Sequence, residues 1–405
     1  MSRRDPFDVV VVGAGIVGSS AALAFARDGL RVALVESRMP APWSAASPDL
    51  RVYALAQDNI DLLQELAVWN GIAPQAQPCR TMRVWDAAGG GELRFDTQRY
   101  GRESLVWVIE HGLLADRLWQ ALQQAGVALR CPRRVVSIAM GRDVDETGFT
   151  DASRSRDVVA MTLDDDTALR ARLIVAADGA ESAVRAMAGI GIARHDYGQR
   201  GLVAFVATRR GHEDTAWQRF LPTGPIAFLP FRDGRSSIVW TLPDAEASRL
   251  LALDEAAFCA ELTRAFDATL GDVVSVSARA AFPLRRQVAE RFVEGRVVLC
   301  GDAAHVVHPL AGQGLNIGLR DVAALRASVQ RSAQRGAEIA SSHRLARWER
   351  ERRSESTAAA FAFDGINRLF SNDAPLATIA RGHLLGIAGR IPGLDALLWK
   401  RAAGL

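Results

Sequence analysis

The sequence predicts an α/β protein: a parallel sheet wound with helices, interrupted by a mainly antiparallel β-sheet module and closed by a helical C-terminus. Three observations lead there. A glycine-rich turn, Gly13-Ala14-Gly15-Ile16-Val17-Gly18, lies between an apolar run and a stretch rich in Ala and Leu. Residues 201–242 alternate short apolar runs with Pro and Gly, as antiparallel strands do. Beyond the apolar run 297–299 the chain reads as helical to its end.

Residues 7–12 are almost continuously apolar, the pattern of a parallel strand buried on both faces. Residues 17–27 read as a helix ended at Gly29, and 31–35 as a second strand, completing a βαβ unit. A helix follows over 59–69, then strands over 81–85 and 92–95 around a triple-glycine turn. Further on come a strand at 105–109, a helix over 113–124, and strands at 127–131, 134–139, 158–163 and 173–177. Polar residues 141–157 read as an exposed hairpin tip, and 255–266 as a helix. This order divides the chain into a discontinuous nucleotide domain (1–75, 101–188 and 292–345), a substrate domain (76–100 and 189–291) and a helical region (346–405).

Composition narrows the function. The chain has 405 residues, 49% of them hydrophobic, enough for a sizeable core. A net charge of +3 from 49 basic and 46 acidic residues is too balanced for nucleic-acid binding. Cys79, Cys131, Cys259 and Cys300 form no CxxC pair, so they read as reduced thiols of a cytoplasmic protein. No run of 18 uninterrupted apolar residues exists, so no spanning helix is expected.

Three motifs carry chemistry. In the first, Gly13, Gly15 and Gly18 allow a tight turn, close approach to a pyrophosphate and close helix packing. The helix N-terminus adds partial positive charge. Glu36, 18 residues after Gly18, stands where a carboxylate accepts hydrogen bonds from a ribose. In the second, Asp178 and Gly179 in Ala177-Asp178-Gly179-Ala180-Glu181-Ser182 make a sharp turn from strand to helix. The third runs from Gly301-Asp302-Ala303-Ala304-His305 through His308-Pro309-Leu310-Ala311-Gly312 to Gln313-Gly314-Leu315-Asn316. It delivers the Asp302 carboxylate into a loop that turns on small residues into a helix. Arg51, just before the 59–69 helix, reads either as a solvated charge or as a phosphate or flavin contact.

In this order and spacing, the three motifs resemble the single-component FAD-dependent aromatic hydroxylases, across nearly the whole chain. The string from His308 to Asp321, with Trp217-Gln218-Arg219-Phe220, residues 224–230 and Phe282-Pro283-Leu284, resembles the ubiquinone-biosynthesis hydroxylases among them. The resemblance implies a p-hydroxybenzoate hydroxylase-like fold with FAD in the Rossmann-like domain. It implies that Glu36 binds the adenosine ribose, that Arg51 lines the FAD site, and that Asp178 and Gly179 lie near the pyrophosphate. Asp302 would bind the ribityl or pyrophosphate region. Gly312, Gln313, Gly314, Leu315 and Asn316 would face the isoalloxazine, with Pro309 and Gly312 setting the loop beside C4a. Reduced FAD and O2 would form a C4a-hydroperoxide that hydroxylates a polyprenylated phenol, with NAD(P)H or another protein as electron donor.

Arg368-Leu369-Phe370 and Ala403-Gly404-Leu405 favour the enzyme acting at ring carbon 5, with carbon 6 or 1 as alternatives. An isoprenoid-chain reductase of the same fold, or a scaffold keeping FAD for stability, are the rival readings. Two residues depart from the family pattern. Tyr53 stands where a small residue is common, and His111 where asparagine is common; Tyr53 would narrow the flavin or ring pocket.

Phe205, Phe228 and Trp240 are the candidate walls of a dry ring pocket. His305 and His308 have a spacing that permits a metal, but no third ligand is evident, so no metal is expected. They read as loop supports or as residues beside the flavin. The arginines of 344–353 read as a solvated helix face, with docking to the inner membrane or to a quinone-biosynthesis complex as the alternative.

Overall fold

The computed structural model describes residues 6–87, 91–140, 158–307 and 313–370. Its first sheet runs in the order Val293–Glu294, Val297–Leu299, Ala168–Ala176, Phe7–Val12, Val32–Val35, Ala128–Arg130. From Val297–Leu299 to Ala128–Arg130 every neighbouring pair is parallel. The cause is visible in the sequence. Val9, Val10 and Val11, like Ala33 and Leu34, are wholly buried because both faces of the sheet are covered. The helix Ile16–Arg27 packs against both His111–Gln124 and Gln313–Ala333. Val135–Met140 and Val159–Leu163 extend the sheet as an antiparallel pair; residues 141–157, expected as a hairpin tip, lie outside the described residues.

The second sheet has nine strands among the described residues, all but one contact antiparallel. The exception pairs Thr215–Leu221 with Thr81–Asp86 in parallel, drawing the early strands 81–96 into the later module. One face of this sheet lies under the helices Asp244–Ala252 and Glu255–Ala265, with Phe228, Phe258 and Phe266 in the core between them. Its longest strand, Ile192–Thr208, begins well before the apolar run at Val203. Its polar first half pairs with Ala280–Ala289, so backbone hydrogen bonding rather than side-chain burial defines it. A small third sheet joins Val52–Leu55, Val106–Glu110 and Gln77–Cys79.

Close backbone contacts link the parallel sheet to its helices. A Cβ on Gly18 would collide with the Gly13 carbonyl, and one on Gly13 with the Ala177 backbone. Gly318, on Gln313–Ala333, lies over the first motif: a Cβ there would sit 2.8 Å from Val17 Cγ2 and 3.1 Å from Gly301 Cα. Gly318→Ala should therefore destabilise the fold by about 1–3 kcal/mol, read as a lower urea midpoint. Adding Val17→Ala should recover part of the loss; no recovery would mean that Val17 is not the obstacle.

Candidate active site

Three strand ends meet at the carboxyl edge of the parallel sheet, each handing the chain to one of the sequence motifs. Ala177 N donates to Val12 O at 2.8 Å, and Cys300 N donates to Ala176 O at 2.9 Å. The Gly13–Gly18 turn, the Asp178 turn and the Asp302 loop therefore stack side by side. Gly15 caps the helix Ile16–Arg27, whose first turn holds no acidic residue, so its positive end is not neutralised there.

The glycines fall into two groups. Gly13 and Gly18 are needed by the protein, because a Cβ at either would strike backbone. Gly15 and Gly179 have nothing within 4 Å of an added Cβ, and both line a cavity. At these two positions the missing side chain leaves room for a ligand. Such a cradle, with carboxylates at Glu36 and Asp302, fits a dinucleotide.

The carboxylates differ in commitment. Glu36 takes hydrogen bonds from Ala14 N (2.7 Å) and Arg38 N (2.9 Å), which fixes it against the glycine turn. Asp178 is occupied by its own turn: one oxygen accepts from Ser182 Oγ, the other from Val184 N at 3.1 Å. From the same motif the buried Arg185 donates to Ala303 O at 2.9 Å, tying the second loop to the third. Asp302 is accessible through the cavity, yet its surroundings are dense. Desolvation raises its pKa, while the charge of His305 opposes the rise.

Arg51 lines the cavity with its guanidinium clamped on Asp49 at 2.8 and 3.1 Å. Tyr53 and His111 also line it, and the Tyr53 hydroxyl lies 3.1 Å from His111 Nδ1. Burial, followed by the charge of Asp302, pushes the Tyr53 phenol up to about 12. Burial, followed by Arg51, lowers the imidazole of His111. Sequence reading marked these two residues as departures from a pattern; their pairing comes from the register of Val52–Leu55 against Val106–Glu110.

Asn316 is wholly buried and engages protein backbone. Its Nδ2 donates to Ala54 O (2.8 Å), and its Oδ1 accepts from Ala56 N (2.9 Å). It thus ties the Arg51–Tyr53 segment to the helix beginning at Gln313. Gly314 and Leu315 line the cavity. His308, Pro309 and Gly312 lie outside the described residues.

His305 is a support. Its Nε2 lies 2.7 Å from Asp321, which also accepts from Gly301 N (3.0 Å) and from Arg352 Nε (2.7 Å). All three side chains are buried. Among the described residues no group of three His, Cys, Asp or Glu side chains is placed to hold a metal. Arg352 corrects the expectation of a uniformly solvated arginine face. It lies on the same side of the helix Ser342–Phe370 as the buried Leu345 and Trp348, whereas Arg347, Arg350 and Arg353 are exposed. Charge alone gave no sign of this; the apolar spacing of Leu345 and Trp348 was the available signal.

The cavity measures about 440 Å3 and runs from these loops to the second sheet. Val203, Ala227, Leu229, Val239 and Thr241 line it. Phe205, Phe228 and Trp240, expected as its walls, do not. Phe205 shares a face with Val203 but lies farther along the strand, against Phe231, whereas Phe228 and Trp240 lie on the right strands but the wrong face. Side chains alternate along a strand, and the large rings of Phe228 and Trp240 pack beneath the covering helices, where Phe228 stacks on Phe266 at 3.9 Å.

A dinucleotide cradle opening directly onto an apolar, ring-sized cavity under an antiparallel sheet defines an FAD-dependent aromatic monooxygenase. A family profile described as an FAD binding domain matches residues 6–361. The fold matches p-nitrophenol 4-monooxygenase PnpA from Pseudomonas putida with a TM-score of 0.75, at 20% identity over 98% of each chain. In sequence, the chain is 36% identical to ubiquinone hydroxylase UbiL of Rhodospirillum rubrum, covering 98% of this chain and 89% of that one. It is 34% identical to the 3-demethoxyubiquinol 3-hydroxylase of Escherichia coli, covering 99% of this chain and all (100%) of that one. The chain belongs to the ubiquinone hydroxylase family of FAD-dependent monooxygenases.

Burial of Asp321 raises its pKa, but His305 and Arg352 outweigh this and hold the carboxyl below its ordinary value. A depressed folded-state pKa means that its stabilisation is present above the unfolded carboxylate value and is lost as pH falls through the folded one. Arg352→Met should cost about 3 kcal/mol at neutral pH by stranding a buried charge. The deficit should shrink in acid as Asp321 takes a proton. Urea unfolding at pH 7 and pH 4 checks this, and equal deficits at both would refute it.

Proposed function

We propose that this chain hydroxylates the aromatic ring of a polyprenylated phenol or benzoquinol intermediate of ubiquinone biosynthesis. The observation that carries the reading is the character of the cavity. Among the described residues, the antiparallel sheet contributes no charged side chain to its lining; Arg51 and Asp302 belong to the cofactor side. An aromatic acid would have to bury its carboxylate there without a cation, at a cost of several kcal/mol. A neutral phenol with a prenyl chain carries no such cost.

In this reading Gly13, Gly15, Gly18 and the helix they open hold the pyrophosphate of FAD, and Glu36 holds its adenosine ribose. Asp302 binds the chain between pyrophosphate and ring, while Arg51 lines that site. Asp178 and Gly179 shape the neighbouring turn. Gln313, Gly314, Leu315 and Asn316 form the helix start facing the isoalloxazine. When bound and reduced, by NAD(P)H or another donor, FAD supplies the activation of O2 that side chains cannot. Val203, Leu229 and Val239 keep water from the ring.

Ring carbon 5 is the position favoured by Arg368-Leu369-Phe370 and Ala403-Gly404-Leu405. The full-length similarity to a 3-demethoxyubiquinol 3-hydroxylase supports a second reading, a demethoxyubiquinol as the substrate. The exposed Arg347, Arg350 and Arg353 suit peripheral contact with an anionic membrane surface or a quinone-biosynthesis complex. Among the described residues no helix is long and apolar enough to cross a membrane.

In a deletion strain, mass spectrometry should find a prenylated intermediate lacking one hydroxyl, whose structure gives the ring position. The purified enzyme should place one atom of labelled O2 in the product; an unlabelled product would favour a reductase. Asp302 offers a further check. A carboxyl with a raised folded pKa contributes stability below its unfolded value and loses it as pH rises through the folded one. At neutral pH, Asp302→Asn should therefore raise the melting temperature of the FAD-free protein while weakening FAD binding about tenfold or more. Unchanged FAD affinity would remove Asp302 from the site.

A further inference from the structure

The groups able to recognise the polar group of a phenolic ring in this cavity are Gln218 and Thr241 on the antiparallel sheet and Arg51, Tyr53, His111 and Asp302 at the nucleotide edge. Arg51 follows Asp49 and is clamped to it, and Asp302 belongs to the nucleotide edge. Tyr53 and His111 stand at the junction of the two sides, paired with each other. Their placement follows from strand geometry. Val52 pairs with Glu110, and His111 N donates to Arg51 O at 2.8 Å, so residue 111 stands opposite 51. Residue 53, two along, falls on the same face as a diagonal neighbour. The 3.1 Å contact between Tyr53 Oη and His111 Nδ1 is that diagonal.

Asn316 fixes this segment from behind through Ala54 and Ala56, and Asp49 N donates to Glu110 at 2.9 Å, so the pair is held from both strands. The charged groups around it are Asp302, Arg51 and Asp49. In this setting the phenol keeps its proton and the imidazole is neutral. The phenol is the stronger acid of the two, so we assign His111 the neutral tautomer with Nδ1 unprotonated, to which the Tyr53 O–H donates. A tyrosine hydroxyl is one donor and also an acceptor. With its hydrogen committed to His111, Tyr53 offers a ligand only its lone pairs.

We propose that Tyr53, held by His111, is a positioning residue that accepts a hydrogen bond from a ring hydroxyl, so that the cavity selects phenols and quinols over quinones and methyl ethers. Quinones and ethers carry acceptors alone, and an acceptor set against an acceptor is a repulsive, unpaired contact. The inference deepens the proposed function and rests on its placing of the ring in this cavity.

The test uses the FAD-loaded enzyme and a matched pair of probes, a short-chain prenylated phenol and its methyl ether. Their dissociation constants are read from perturbation of the flavin absorbance, and FAD affinity is measured for every variant. The wild type should prefer the phenol about tenfold or more. Tyr53→Phe should abolish that preference while leaving FAD affinity within about twofold. His111→Asn should narrow the preference, because the freed hydroxyl can then donate to the ether. The double variant should add little to Tyr53→Phe. A preference that survives Tyr53→Phe overturns the proposal. So does a loss of FAD affinity with the preference intact, which would assign the pair to the cofactor. Turnover separates the two levels. A wild type that discriminates between the probes but hydroxylates neither refutes the proposed reaction, whereas one that hydroxylates the phenol with the preference intact in Tyr53→Phe refutes only the role of the pair.

Discussion

The structure depends on how closely three strand ends approach one another. Val12, Ala176 and Leu299 end side by side, and each passes straight into a loop that must pack on the next with no side chain between. Gly13 against Ala177, Gly18 against Gly13, and Gly301 and Gly318 around Val17 are the contacts that make this possible. Backbone packed this tightly leaves amide groups and a helix N-terminus at the surface of the cleft, which is what an anionic dinucleotide requires. The same approach sets the Asp302 carboxylate beside the cavity, where desolvation raises its pKa.

Around this edge, polar residues divide between those that face the ligand space and those that hold them in place. His305, Asp321 and Arg352 form a buried hydrogen-bonded cluster below the Asp302 loop, and Arg185 ties that loop to the Asp178 turn. Asn316 does the same for the strand carrying Arg51 and Tyr53. Most of these supports bridge elements far apart in the chain, up to 262 residues in the case of Asn316 and Ala54. Each anchors a loop through its backbone, so the loop conformation does not depend on the loop's own sequence alone.

The cavity has two chemistries because it has two parents. The nucleotide edge contributes Arg51, Tyr53, His111 and Asp302; the antiparallel sheet contributes mainly apolar residues, Phe282 among them, with Gln218 and Thr241 but no charged side chain. Phe228 and Trp240 point the other way, under the covering helices. The end of the cavity under the sheet is thereby largely apolar, in contrast to the nucleotide edge.

The sequence by itself determined the α/β class, the glycine turn with Glu36, and the loops that carry Asp178 and Asp302. Each of these is encoded within a few adjacent residues: glycines where backbone must approach backbone, and a carboxylate just after a strand. What only the tertiary structure decided concerns faces and partners. Which side of strands 224–243 meets the ligand depends on where two helices pack, and that moved the cavity wall from Phe228 and Trp240 to Leu229 and Val239. That Arg352 leaves a solvated arginine series to join Asp321 depends on a helix docking 31 residues away along the chain. That Tyr53 meets His111 depends on strand register. Such contacts pair residues distant in sequence, and no local pattern of charge or hydrophobicity records them.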